Sequence, residues 1–208
     1  MPYTSSYPRQ FSTVMSFLNI EINGDPSTED IALYTWVDSC IDVAYDEAES
    51  YCGQPLRSTS VQYNFYANKA LRAESSDIYW KFVPYFANTN LTSLQHRENE
   101  FASFANVDAQ NYSWSTETSK HFIVFRGINT GQFRATLTTG YSDAQMPKTV
   151  LQGIAEMVSL LYKQSAMGGN WFGLNSIVSG GAGQNVSQSL KTQIDWQKYF
   201  GIYYIPTV

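Results

Sequence analysis

The chain of 208 residues has only two cysteines and two histidines, and its thirteen Lys and Arg are outnumbered by eighteen Asp and Glu. Each shortage closes off a class of function. Both cysteines lie in DSCIDVAYDEAESYCG, between Asp38 and Gly53. If that stretch is one helix, Cys40 and Cys52 stand about 18 Å apart along its axis, at roughly 1.5 Å per residue. Bridgeable cysteines have Cα atoms within about 7 Å, so the pair can neither form a disulfide nor share a metal ion. Two buried, reduced thiols are expected. His96 and His121 have no metal-like spacing to each other or to a cysteine, and both read as structural. No P-loop, dinucleotide-binding glycine pattern or G-x-S-x-G elbow occurs. The run GGAG at 180–183 lacks the lysine a P-loop needs and reads as a loop. No cofactor, metal site or enzymatic activity is expected.

The deficit of basic residues leaves a net charge of −5. That argues against a nucleic-acid reader, which needs cations to displace phosphate counterions. It does not exclude a protein that DNA passes without being gripped. No apolar run is long enough to span a bilayer, and MPYTSSYPRQ carries no charged-then-apolar leader pattern. A soluble chain made in the cytoplasm is expected, with no membrane partner. The acidic pairs Asp46-Glu47 and Glu98-Glu100 are sequence neighbours, whereas a glycosidase needs carboxylates facing across a cleft. Asn90, Asn111 and Asn185 begin N-x-S/T triplets, which carry no weight without a secretory signal.

What the chain has in abundance is aromatic surface: 15% Phe, Trp and Tyr, including 15 tyrosines, with only 15% charged residues. Tyr and Trp are enriched, and charges depleted, at the centres of interfaces. The same composition suits a sugar-binding module. The spacing of Ile31, Tyr34, Val37, Ile41, Ala44, Tyr45, Ala48 and Tyr51 predicts an amphipathic helix over about 28–52, capped near Ser27 and stopped by Gly53. Asp38, Asp42, Asp46 and Glu49 would line its wet side. A short helix over 10–19 precedes it. Alternation at Val61, Tyr63 and Phe65 predicts a strand, followed by strands in DIYWKFVPYFAN (with Pro84 forcing an edge or a bulge), LTSLQHRENE, NYSWSTET, KHFIVFRG and QFRATLTTGY. KTVLQGIAEMVSLLYKQSAM then predicts a helix with Pro147 before its first turn and Gly168-Gly169 at its end. A glycine-rich loop, a helix over about 188–199 capped by Ser187 or Ser189, and an apolar tail, YFGIYYIPTV, close the chain. The fold class expected is α+β and mainly helical. It is a helix bundle, 10–56 and 146–200, with an antiparallel β insertion at 57–141 and an extended tail at 199–208, in a single domain of 1–208.

One arrangement goes further. The acid-rich helix ends in YCGQPL (Tyr51 to Leu56). A strand ends in TTGY (Thr138 to Tyr141), a short loop leads to Met146-Pro147, and the long helix VLQGIAEMVSLLYKQS follows. With Leu174-Asn175-Ser176-Ile177 and Asp195-Trp196-Gln197-Lys198-Tyr199 beyond it, this resembles the head–tail connector (adaptor) proteins of tailed bacteriophages. The likeness covers roughly 10–56 and 133–200; its motifs mark structure, and no catalytic residue carries over. The β region is longer and more aromatic than in the smallest members of that family. The resemblance implies a homo-oligomeric ring, typically twelve-fold, beneath the portal at the capsid vertex. DNA would pass through its lumen without sequence-specific binding, and a tail or nozzle component would follow. The location implied is the neck of the virion, after synthesis in the host cytoplasm.

Three contact regions follow from that reading. Trp196, Tyr199, Phe200, Ile202, Tyr203, Tyr204 and Ile205 are expected to meet the portal or a neighbouring subunit, the alternative being that they pack on their own core. Trp171 and Phe172 are expected to touch a neighbouring subunit, the alternative being a self-packed loop. Tyr79, Trp80, Phe82 and Tyr85 are expected to face the next tail component, the alternative being a small core of their own. Two other functions stay open: an aromatic-rich carbohydrate- or protein-binding module of a virion or cell surface, and a hydrolase using Glu98 or Glu100.

Overall fold

The computed structural model describes residues 3–72, 77–85, 87–117, 120–164 and 194–205. The chain divides into two units, one made of 1–54 with 141–208 and the other of 55–140.

The first unit holds α1 (Pro8–Leu18), α2 (Thr28–Cys52), α3 (Lys148–Gln164) and a short α4 (Trp196–Phe200). Helix α1 starts where the Asp143 carboxylate accepts from the amides of Arg9 and Gln10, at 2.7 and 3.1 Å, which satisfies two donors that the first turn leaves without partners. Helix α2 starts with a capping box: Asp30 N–H donates to the Ser27 hydroxyl, and Ser27 N–H donates back to the Asp30 carboxylate. It stops at Gly53, whose φ of +66° is cheap only for glycine. Tyr34, Val37, Ile41, Ala44, Tyr45 and Ala48 are buried as the spacing predicts, and Trp36, Cys40 and Cys52 widen that face. Ile31, assigned to the same stripe, is instead 42% exposed in the first turn. Helix α3 buries Val150, Leu151, Ile154, Ala155, Met157, Val158 and Leu161. One buried amide joins three elements: Gln10 donates to the Leu151 carbonyl at 3.1 Å and accepts from the Tyr45 hydroxyl at 3.2 Å. That pairing offsets the cost of placing a polar side chain in the core. No described helix is long and apolar enough to cross a membrane.

The described residues of the second unit form eight strands: β1 (Thr59–Tyr66), β2 (Leu71–Arg72), β3 (Ile78–Val83), β4 (Asn90–Arg97), β5 (Ala105–Asn106), β6 (Tyr112–Glu117), β7 (Lys120–Arg126) and β8 (Gln132–Thr139). They form two four-stranded sheets, ordered β1-β8-β4-β5 and β2-β3-β7-β6, with every pairing antiparallel. Phe65 and Phe133 from the first sheet meet Phe125 from the second, the Phe125–Phe133 centroids being 4.5 Å apart. Ile123, Leu94, Ala135 and Leu137 complete this core, all nearly or fully buried.

The expectation of a mainly helical fold is corrected here. Two complete four-stranded sheets stand beside four helices among the described residues, so strand and helix carry comparable weight. The physical reason is that the β region closes its own hydrophobic core between two sheets, rather than using a helix bundle as its second layer. The two-residue strands β2 and β5 are too short to show alternation. Pro84 falls just after β3; β2 reaches only Tyr79 and Trp80, so among the described residues the end of β3 next to the proline is paired on the β7 side alone, and the expected edge is found there. The C-terminal tail is no strand in its described part: Gly201–Tyr203 form a 3₁₀ turn. The expected stop at Gly168-Gly169, the cap at Ser187 or Ser189 and the glycine-rich loop lie outside the described residues.

Candidate functional site

Two surfaces carry the residues singled out by sequence. The first is the C-terminal segment on the helical unit. Asp195 caps α4 by accepting from the Lys198 amide at 3.1 Å. Trp196 stacks on Tyr51 at 5.1 Å and lies 5.6 Å from Phe200. Phe200 is fully buried, because Gly153 on α3 leaves room for it: a β-carbon at 153 would stand 2.7 Å from the Phe200 ring and 2.8 Å from Tyr199. The Tyr199 hydroxyl accepts from Lys198 Nζ at 2.8 Å and donates to Glu156. Tyr203 is buried, its carbonyl accepting from Gln54, and burial, then Tyr141, pushes its hydroxyl up to about 12. Ile205 N–H donates to the Cys52 carbonyl at 2.8 Å. Thus Tyr199, Phe200 and Tyr203 face inward, while Ile202 at 76% and Tyr204 at 44% are the exposed members. Trp171 and Phe172 lie outside the described residues.

The second surface is on the β unit, and the strand registers define it. Tyr79 points into the core, stacked on Phe125 at 5.5 Å, and Tyr85 is half-buried beside Tyr63. Trp80 and Phe82 take the opposite face. There Trp80 is opposite Val124 and Leu71, Phe82 is opposite Phe122, and Ile78 is opposite Arg126. All six apolar side chains are half-buried or exposed. The first sheet behaves differently. Apart from Tyr66, 44% exposed at the end of β1, its outer residues Ser60, Gln62, Asn64, Ser93, Gln95, Thr136 and Thr138 are polar, as is usual for an antiparallel sheet with one face in water. Its aromatic neighbour Phe104 is covered by two guanidinium groups, Arg134 at 3.9 Å and Arg97 at 4.8 Å. Sequence reading missed Leu71, Ile78, Phe122 and Val124. The signal was present: FIVF, and IYWKFV but for Lys81, are apolar runs, the mark of a strand covered on both faces, whereas TSVQYNFY alternates.

The cysteines and histidines are held in place by burial and by bonded or stacked neighbours. Burial pushes the Cys40 and Cys52 thiols up to about 12, aided at Cys52 by Glu49, so neither supplies a thiolate near neutrality. His96 Nε2 is bonded to the Thr130 carbonyl at 2.8 Å, and His121 is stacked on Trp114 at 5.1 Å with Nδ1 at 3.2 Å from the Thr116 hydroxyl. Among the described residues no group of three or more His, Cys, Asp or Glu side chains is placed to hold a metal ion. Glu98 and Glu100 follow β4 in an exposed turn.

Charge is divided unevenly between the units. Residues 55–140 carry eight basic and six acidic side chains, the rest of the chain five and twelve. On α2, Asp38 accepts from Tyr3 at 2.8 Å and Ser5 at 2.6 Å, and Asp42 accepts from Tyr7 at 2.7 Å. Burial, then Asp38, raises the Tyr3 hydroxyl to about 12. Part of the acidic side of the helix thus binds the chain's own N-terminal residues.

No family model matches this sequence, and no curated protein matches it. Among solved structures, a chain in the "Neck of empty GTA particle computed with C6 symmetry" superposes with a TM-score of 0.55 at 12% identity, covering 99% of this chain and 95% of that one. A chain in the "Virion of native gene transfer agent (GTA) particle" gives a TM-score of 0.49 at 14% identity, covering 90% and 92%. At such identity, the first of these likenesses establishes a shared fold.

Proposed function

We propose that this chain is a structural neck protein of a phage-like particle, with copies forming a ring between portal and tail around the path of the DNA. The observation that carries the reading is the fold shared over 99% of the chain with a component of a gene transfer agent neck, itself a phage-like particle. A twelve-fold ring contains the six-fold symmetry applied to that neck. The C-terminal segment meets the portal or a neighbouring subunit through Ile202 and Tyr204, while Trp196, Tyr199, Phe200, Tyr203 and Ile205 hold it on the helical unit. The loop with Trp171 and Phe172 reaches a neighbouring subunit. The β unit stands on the tail side. A surplus of carboxylates lets DNA slide by, because phosphate binding needs cations.

The test is to produce particles without the chain. Filled heads and free tails that fail to join are expected, and a tagged copy should label the neck at one capsid vertex. Normal joining in its absence would refute the proposal. Ile202→Ser with Tyr204→Ser tests the docking segment better than deleting 199–208, because the deletion would remove the buried Phe200 and Tyr203 and damage the helical unit itself.

A further inference from the structure

The outward side of the first sheet gathers two positive charges at one corner. The strand registers place Asn64, Arg134, Gln95 and Asn106 in one row across β1, β8, β4 and β5, and Tyr66, Gln132 and Arg97 in the next. Phe104 lies over the two arginines. It enters β5 from a turn that is held closed. The Asn99 side chain accepts from the Phe101 and Ala102 amides at 3.0 and 3.1 Å, and Arg97 Nη1 donates to the Glu100 carbonyl at 3.1 Å. The ring thereby stands 3.9 Å from the Arg134 guanidinium and 4.8 Å from that of Arg97.

The two guanidinium groups are used differently. Arg97 is committed: Nε and Nη2 both donate to the Gln132 side-chain oxygen, and Nη1 to the Glu100 carbonyl. The Arg134 side chain makes no hydrogen bond and no ion pair among the described residues, and its Nε is buried without a partner. Stacking on Phe104 accounts for the face of the Arg134 guanidinium. It does not account for the edge, where five N–H donors lie in the plane of the group. A buried donor left without a partner costs about 1–3 kcal/mol. Two like charges over one ring also repel each other. Glu98 and Glu100 are exposed in the turn, and neither is paired with Arg97 or Arg134. Asp108, beyond β5, is bonded to the backbone and side chain of Gln110.

Both costs are relieved by one kind of group, an anion whose oxygens lie along the edge of the Arg134 fork. A metal ion is excluded by charge, and a neutral ligand leaves the repulsion in place. A nucleic-acid strand needs a track of cations, whereas the other members of these two rows are neutral. We propose that Arg134, with Arg97 supplying a second charge, is an oxyanion-binding site for a carboxylate or phosphate group. The planar fork of an arginine matches two oxygens of either at once. The site goes beyond the reading of the chain as a neck component and does not depend on it.

The test titrates full-length chain carrying ¹⁵N-labelled arginine with sodium phosphate, sodium acetate and sodium chloride at matched ionic strength, and follows the Nε–H resonances. The Arg134 signal should move and saturate with phosphate, with acetate or with both. The signal of Arg72, already paired with Asp77 at 3.4 Å, should move no further than it does in chloride. Saturation by phosphate alone assigns a tetrahedral anion, and saturation by acetate assigns a carboxylate. Arg134→Lys keeps the charge but loses the fork and should weaken binding about tenfold. Arg72→Lys should leave it unchanged. Should Arg134→Lys lower the unfolding midpoint, the wild-type titration decides alone. No saturable movement of Arg134, equal movement in chloride, or undiminished binding by a stably folded Arg134→Lys would overturn the proposal. The neck reading fails separately, by absence of the chain from particles.

Discussion

Replacing Gly153 by Ala probes how the C-terminal segment is held. Alanine is better than glycine inside a helix by about 1 kcal/mol, and Gly153 lies within α3, so propensity alone predicts a more stable protein. The packing predicts the reverse. The new β-carbon would sit 2.7 and 3.0 Å from two ring atoms of Phe200 and 2.8 Å from the β-carbon of Tyr199. The Tyr199 β-carbon is fixed to the backbone, and Phe200 is 0% exposed, so neither can swing aside without lifting α4. Overpacking of this kind costs about 1–3 kcal/mol, and losing the burial of one Phe side chain costs about 1.5–3 kcal/mol. The net expectation is a loss of about 1–2 kcal/mol, located at α4 and the turn after it. Thermal unfolding should shift down by about 2–4 °C per kcal/mol in a chain of this size. Limited proteolysis should cut earlier between α4 and the C-terminus, and Trp196 fluorescence should report the loss of its stacking on Tyr51. A variant that melts higher than wild type with an equally protected C-terminal segment would refute this account of the α3–α4 contact.

Other expectations follow from single contacts. Phe133→Ala empties the centre of the β unit, where Phe65, Phe125 and His96 meet its ring, and should cost about 3–5 kcal/mol in chemical denaturation; a loss under 1 kcal/mol would contradict the core described. Ser27→Ala should cost about 1 kcal/mol by removing the α2 cap, with Ser27→Gly milder. Cys40 and Cys52 should react with a disulfide reagent at pH 8 only upon unfolding, because burial holds both thiols near 12; fast labelling of the native chain would contradict their placement. Burial lowers the pKa of His121, which lies beside Thr116 and Trp114, below 6.5. Between its folded and unfolded values the unfolded chain binds more protons, so stability rises with pH there and falls on acidification below about 6.5. His121→Phe should flatten that slope in denaturation curves measured across pH 5 to 7.5.

Much of the helical unit was legible because its signals are local. Capping at Ser27, three-and-four spacing after Tyr34 and a glycine stop at Gly53 act within a few residues of one another, and α2 runs over the predicted 28–52. The same holds for alternation in β1 and β8. The balance of the fold was not legible. Nothing in one strand tells how many sheets the strands will make, or that Phe65, Phe125 and Phe133 will meet from different ones. Nor does aromatic content tell inside from outside: Tyr79 and Trp80 are adjacent in sequence, and one stacks in the core while the other faces out.

The sequence alone determined the first three helices, the six longer strands and the separation of Cys40 from Cys52, because these depend on periodicity, capping and spacing along the chain. The tertiary structure decided which aromatic rings are spent on the core and which remain outward. It placed Phe200 against Gly153, joined Asp143 to the start of α1, and brought apolar side chains of β2, β3 and β7 onto one outer face. Those outcomes depend on register and close approach between segments far apart in sequence, and a β strand with two apolar faces carries no mark of which face its partner sheet will take.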